Sequence, residues 1–113
     1  MEKRQDNKIV LITGSTGAIG SAIAKELSSL GYSTILTGTN STKISKLSKS
    51  LGSNSFGIAA DLSKNKDIEN LFDQAIKKFK KIDILVNNAG INKDALSIRM
   101  SDNQWNEVIQ LNL

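Results

Sequence analysis

Apolar positions along this chain follow two alternating rhythms. Short runs in which nearly every position is apolar occur at Lys8 to Thr13 (KIVLIT), Thr34 to Thr37 (TILT), Phe56 to Ala60 (FGIAA) and Ile84 to Val86. Such runs predict strands buried on both faces. Between them, apolar residues recur at helical spacing. One set is Ile19, Ile23, Leu27 and Leu30, closed by Gly31 as a C-cap, and another is Ile44, Leu47 and Leu51, ending at Gly52. The third and strongest is Ile68, Leu71, Phe72, Ala75, Ile76 and Phe79. Ser101 with Gln104 fits a capping box, which predicts a last helix carrying Trp105, Val108 and Ile109.

Strands alternating with helices predict an α/β fold, a doubly wound (Rossmann-like) parallel sheet in three α/β/α layers joined by right-handed crossovers. Four strands are predicted, whereas sheets of this kind normally run to six. Leu113 falls inside a helix without a stop signal, so residues 1–113 are expected to be the first half of one larger domain.

Composition narrows the chemistry. With 39% hydrophobic and 23% charged residues the chain matches an ordinary globular domain. It has no Cys and no His, which removes disulfides, thiolate or imidazole metal sites, and Ser-His or Cys-His nucleophiles. The opening MEKRQDNK is polar, and no apolar stretch reaches the roughly 18 residues of a membrane span, so a cytoplasmic location without a membrane partner is expected. The net charge of +4 raises the possibility of nucleic-acid binding. Lys43, Lys46 and Lys49 fall on one helical polar face, however, and Lys77, Lys78, Lys80 and Lys81 close another helix. Phe79 is the one aromatic residue among them, too few to form a stacking platform, so solvated helix faces are the expectation.

The candidate chemistry lies between the first strand and the first helix, where Gly14, Gly17 and Gly20 fall within seven residues. A glycine-rich turn there aims backbone N–H groups and the positive helix end at an anion, typically a pyrophosphate, although a tight structural turn would use the same residues. An ATP-type P-loop is excluded, because Gly20 is followed by Ser21 and Ala22 rather than by Lys and Ser or Thr.

Thr13-Gly14-Ser15-Thr16-Gly17-Ala18-Ile19-Gly20 resembles the Thr-Gly-x-x-x-(Gly or Ala)-x-Gly signature of the short-chain dehydrogenases/reductases. Two further motifs of that family follow in order. Asp61-Leu62 closes the third predicted strand, and Asn87-Asn88-Ala89-Gly90 follows the fourth. Asp94, Arg99, Met100, Trp105 and Asn112 are similar to the corresponding stretch of bacterial 3-oxoacyl-[acyl-carrier-protein] reductases. Arg99 fits either an acyl-chain entrance or a solvated loop, and Trp105 reads as an anchor for its helix.

The resemblance implies a nicotinamide dinucleotide cofactor. Gly14, Ser15, Thr16, Gly17, Ile19 and Gly20 would hold the pyrophosphate, Asp61 and Leu62 the adenine, and Asn88, Ala89 and Gly90 the ribose side. Asp61 has a second reading as a cap for the turn at Ser63. The second strand ends in Thr37-Gly38-Thr39-Asn40-Ser41, without the acid that would accept a ribose 2′-OH, so NADPH is expected, with Thr39 near the 2′-phosphate. Gly17 departs from the basic residue that NADPH-using relatives often carry there. The resemblance further implies a cytosolic homotetramer reducing 3-oxoacyl-[acyl-carrier-protein] in fatty-acid elongation. Alternatives are a reductase of another ketone and a non-catalytic nucleotide-binding module.

Reduction of a ketone needs a proton for the developing alkoxide. The family supplies it from Tyr, with Lys four residues later, Ser, and an Asn. Of these only the Asn has a counterpart, Asn112, whose other reading is a helix-surface amide. The sequence contains no Tyr-x-x-x-Lys, since its one Tyr, Tyr32, precedes Ile35 and Leu36. Lack of such a donor costs about two to four orders of magnitude in rate.

Overall fold

The structure is a computed structural model that describes residues 8–91 and 108–113. Its elements in chain order are β1 (Ile9–Thr13), α1 (Ala18–Ser29), β2 (Ser33–Gly38), α2 (Ser41–Leu51), β3 (Ser55–Ala59), α3 (Asn65–Phe79), β4 (Ile84–Asn87) and β5 (Ile109–Asn112). The strands form one parallel sheet in the order β3-β2-β1-β4-β5, the Rossmann-like α/β arrangement that the sequence pattern predicts.

Alternation along β1 divides the core. Ile9 and Leu11 point to the layer formed by α3, where they meet Ile35, Leu71, Phe72 and Ala75. Val10 and Ile12 point to the opposite layer, where Ala24 of α1, Ile44 of α2, Leu36 and Val86 surround them. Because both faces are covered, all five residues of β1 are buried. The exposed apolar surface that a central strand would otherwise present is removed from water on both sides, the dominant favourable term in forming the sheet.

Helix ends follow local chemistry. At the start of α2 the Asn40 Oδ1 accepts the Lys43 amide at 3.0 Å. Asn40→Ala is therefore expected to lower unfolding free energy by about 1 kcal/mol, read as a lower urea midpoint at unchanged slope. After α1, Gly31 takes φ +97°, and after α3 Lys80 takes φ +73° in the left-handed region. At the opposite end of the sheet Asp83 clamps β1 to the turn before β4. Its Oδ2 accepts the Ile9 amide at 2.7 Å, and its own amide donates to the Ile9 carbonyl at 2.9 Å.

One expectation is overturned at the chain's last residues. Ile109 lies on a fifth strand, not on a helix, and Val108 immediately precedes that strand. The sheet accordingly has five strands where four were expected, and β4 is not its edge. The physical reason is twofold. Ile109, Leu111 and Leu113 alternate with Gln110 and Asn112, a period of two. The outward carbonyls of β4 also need donors, and Asp83 and Asn87 accept the Ile109 and Leu113 amides at 3.0 and 3.3 Å. The expected capping box at Ser101 and Gln104, with Asp94, Arg99, Met100 and Trp105, lies outside the described residues.

Candidate functional site

The chain runs from β1 outward through β2 to β3, then returns across β1 to β4, so the strand order reverses between β1 and β4. In an open parallel sheet the loops at the carboxyl ends of the strands part at such a point and leave a crevice. A groove of about 970 Å³ lies there. Gly14, Thr16 and Gly17 line it after β1, Gly38 and Thr39 at the end of β2, Ala60, Leu62 and Ser63 after β3, and Ala89, Gly90 and Ile91 after β4.

The β1–α1 turn is built for close approach. Gly14 has φ +63°, which L side chains rarely adopt, and Asn88 Nδ2 donates to its carbonyl at 3.3 Å. Gly20 packs the first turn of α1 directly on this loop. A Cβ on Gly20 would overlap the Gly14 oxygen and stand 2.8 Å from the Gly14 carbonyl carbon and Ser15 Cα. A Cβ on Gly17 would meet nothing nearer than the Gly14 oxygen at 3.7 Å, so that position has room for a side chain.

Gly17 caps α1 without a side chain, and the Ser21 amide donates to its carbonyl at 2.9 Å. The amides of Ala18, Ile19 and Gly20 in the first turn have no protein acceptor among the described residues. Unpaired N–H groups and the positive end of the helix dipole together favour an anion. The turn is thus not closed by a side chain of its own.

Behind the groove wall a polar network holds the loops. Ser15 is buried, and both its amide and its hydroxyl donate to the Thr37 carbonyl at 3.1 Å, fixing the loop to β2. The Thr13 hydroxyl accepts the Ala89 amide at 2.9 Å. Asn87, 4% exposed, closes the β4 loop on itself. Its Oδ1 accepts the Ile91 amide at 3.0 Å, and its Nδ2 donates to the Ile91 carbonyl at 3.2 Å.

The expected site residues divide into those that line the groove and those that brace it. Gly14, Thr16, Gly17, Thr39, Leu62, Ala89 and Gly90 line it, whereas Ser15 and Asn88 act from behind. Ile19 stands 63% exposed on the first turn of α1. Asp61 caps its turn, with Oδ1 accepting the Ser63 hydroxyl at 2.7 Å and the Ser63 amide at 3.0 Å. The Ser63 hydroxyl, then its amide, hold the Asp61 carboxyl below the usual carboxylate range, against a small opposing effect of desolvation. Asn112 sits on β5 and not on a helix surface, with its Oδ1 accepting Asn87 Nδ2 at 3.3 Å.

Sequence reasoning missed the wall contributed by Asn65, Ile68 and Glu69 of α3. A signal for it was present. The third crossover helix starts at the carboxyl end of β3, so its first turn must border the crevice there.

A parallel sheet with this reversal and a glycine turn packed on α1 defines a Rossmann-like α/β protein, and the chain belongs to the short chain dehydrogenase family, whose model matches residues 8–113. Relatives named 3-oxoacyl-[acyl-carrier-protein] reductase FabG include that of Haemophilus influenzae. It is 45% identical over 106 residues, covering 94% of this chain and 44% of the relative. The Escherichia coli protein is 39% identical over 108 residues, covering 96% and 44%. Among solved structures, the 3-ketoacyl-(acyl-carrier-protein) reductase of Brucella melitensis complexed with NADH superposes with a TM-score of 0.71 at 27% identity, covering 82% of this chain and 42% of that one. A short chain dehydrogenase/reductase of Burkholderia phymatum in complex with NAD gives 0.71 at 29% identity, covering 79% and 33%. This chain spans less than half the length of these relatives.

Proposed function

We propose that this chain is the cofactor-binding half of an NADPH-dependent reductase that converts 3-oxoacyl-[acyl-carrier-protein] to the 3-hydroxyacyl form. The observation that carries the reading is the set of unpaired amides of Ala18, Ile19 and Gly20 at the switch-point groove. A phosphate-bearing dinucleotide fits them, since the cradle can exist only where residues 14 and 20 lack side chains. The name shared by the Haemophilus influenzae and Escherichia coli relatives supports the substrate class. The cytoplasm and a homotetrameric assembly go with the same reading, with no nucleic-acid or membrane partner. Among the described residues no helix is long and apolar enough to cross a membrane.

Bound NADPH would supply a hydride to the ketone carbon. The residues of this chain bind and orient it. Amides of the glycine turn would face the pyrophosphate, Thr39 the 2′-phosphate, Leu62 with the turn held by Asp61 the adenine, and Ala89 and Gly90 the ribose side, with Asn88 bracing their loop through the Gly14 carbonyl. Preference for NADPH over NADH follows from the end of β2, where residues 38–41 carry no carboxylate. Asn40 there spends its Oδ1 on the cap of α2, leaving a ribose 2′-OH no strong acceptor. Asn112 is the family's catalytic Asn in position, but the chain has no Tyr-x-x-x-Lys to deliver the proton.

Titration with NADPH and NADH, followed by nucleotide fluorescence, tests the reading together with an acetoacetyl-thioester reduction assay. Tighter binding of NADPH than of NADH is expected, with no turnover above background for these 113 residues. Binding of neither nucleotide would overturn the proposal. Gly17→Arg places a cation beside the groove without a clash, and is expected to tighten NADPH about tenfold while leaving NADH nearly unchanged. Equal effects on the two nucleotides would remove the 2′-phosphate from that part of the groove. A reductase of another ketone would bind identically and differ in the thioester it accepts.

A further inference from the structure

The turn after β3 uses up its own polar groups with one exception. Ala60 gives its amide inward, to the Gly38 carbonyl of β2 at 2.9 Å. Alternation along an extended strand sends the next amide, that of Asp61, to the outer side, where Asp67 Oδ2 of α3 accepts it at 2.7 Å. The Asp61 carbonyl accepts the Lys64 amide at 3.0 Å, and Asp61 Oδ1 accepts the Ser63 amide and hydroxyl. Of the amides from Asp61 to Lys64, only that of Leu62 has no protein acceptor among the described residues. By the same alternation it falls on the inner side, and Leu62 lines the groove along with Gly38 and Thr39.

Asp67 does more than start its own helix. It is the third residue of α3, whose cap residue, Lys64, makes no side-chain hydrogen bond. A carboxylate in a first turn is favoured by the helix dipole wherever it points. This one reaches back six residues, across the turn, to the end of the strand. The bond ties Asp61 to α3 one residue beyond the inward bond of Ala60, and so sets where the following amide points.

We propose that Asp67 is a positioning residue for the purine base, fixing the Leu62 N–H over the groove as a donor to an acceptor nitrogen on the base edge. The inference rests on the reading of the groove as a dinucleotide site, and it assigns Asp67 no contact with the ligand. Adenine presents an acceptor at N1, whereas hypoxanthine presents an N1–H donor there. A fixed N–H pairs with the first base and is left opposed by the second.

NADPH and reduced nicotinamide hypoxanthine dinucleotide phosphate differ only at that edge, so titrating both by nucleotide fluorescence reads the base alone. The unaltered chain is expected to bind NADPH about tenfold more tightly than the analogue. Asp67→Ala should weaken NADPH by about tenfold and leave the analogue within about twofold, which brings the ratio near one. Asp67→Asn keeps an acceptor oxygen and removes the charge, so it should retain the preference. A role confined to the helix dipole gives a different pattern, in which both variants lower the urea midpoint and both keep the base preference. Independently of any variant, the Leu62 amide proton should move downfield in heteronuclear NMR on addition of NADPH and not of the analogue. No base preference in the unaltered chain, a preference retained in Asp67→Ala, equal weakening of both nucleotides, loss of preference in Asp67→Asn, or a Leu62 resonance indifferent to NADPH would each overturn the proposal. Binding of neither nucleotide by the unaltered chain would overturn the dinucleotide reading itself, and this inference with it.

Discussion

Gly20→Ala is expected to abolish measurable nucleotide binding, with an affinity loss of at least about 100-fold, and to lower stability by about 1–3 kcal/mol. Helix propensity alone points the other way, since Ala is favoured over Gly inside a helix by about 0.5–1 kcal/mol. Sterics decide the sign. The atoms a methyl group would strike belong to the backbone of Gly14 and Ser15, and Ser15 is fixed to the Thr37 carbonyl by two hydrogen bonds. Relief therefore means lifting the first turn of α1 off the loop, which turns the amides of Ala18, Ile19 and Gly20 away from the groove. Isothermal titration with NADPH alongside urea denaturation reads both effects. Gly17→Ala is the control, because its Cβ would make only an ordinary 3.7 Å contact with the Gly14 oxygen, at φ −75°. Equal losses in the two variants would show that the turn tolerates a side chain at neither place, and that packing against Gly14 is not the cause.

Asn87→Ala should cost about 2–4 kcal/mol, because it strands the buried amide and carbonyl of Ile91, each worth about 1–3 kcal/mol when left unpaired. Far more is at stake than the small apolar contact that Asn87 makes. Its side chain is the closure of the β4 loop, which sets Ala89 and Gly90 against the groove and, through the Ala89 amide, against Thr13. Nucleotide affinity should fall together with stability, and the Ile91 amide should lose its protection from hydrogen exchange. Retention of that protection in the variant would show that another group had taken over from Asn87, and would sink this account of the loop.

The neighbouring residue behaves differently. Asn88 reaches the Gly14 carbonyl from a half-buried position, where water can replace a lost partner. The four residues of the Asn-Asn-Ala-Gly motif thus divide between holding the sheet's loop together and forming the groove wall. Their identity was legible in the sequence, but the division of labour was not. It depends on what each side chain meets in the folded loop, the Ile91 main chain for Asn87 and the Gly14 carbonyl for Asn88.

Periodicity alone determined the α/β class, the parallel sheet and the first four strands, because an apolar run of three to six residues can be buried only if both faces are covered. Spacing alone located the glycine turn, since only residues without side chains let the first turn of α1 pack directly on the loop that follows β1. Tertiary structure decided the rest. Residues 108–113 read as part of a helix by propensity and local spacing, yet Ile109 and Leu113 give their amides to carbonyls of Asp83 and Asn87, whose need for donors no local window records. Asp61 is the local exception, since it could bind a ligand or cap a turn by its position in the chain and its partner in the cap, Ser63, lies only two residues away. Local pattern fixes what a segment must bury. Which unpaired polar group it meets is set by strands that are distant in sequence, so only the assembled sheet decides it.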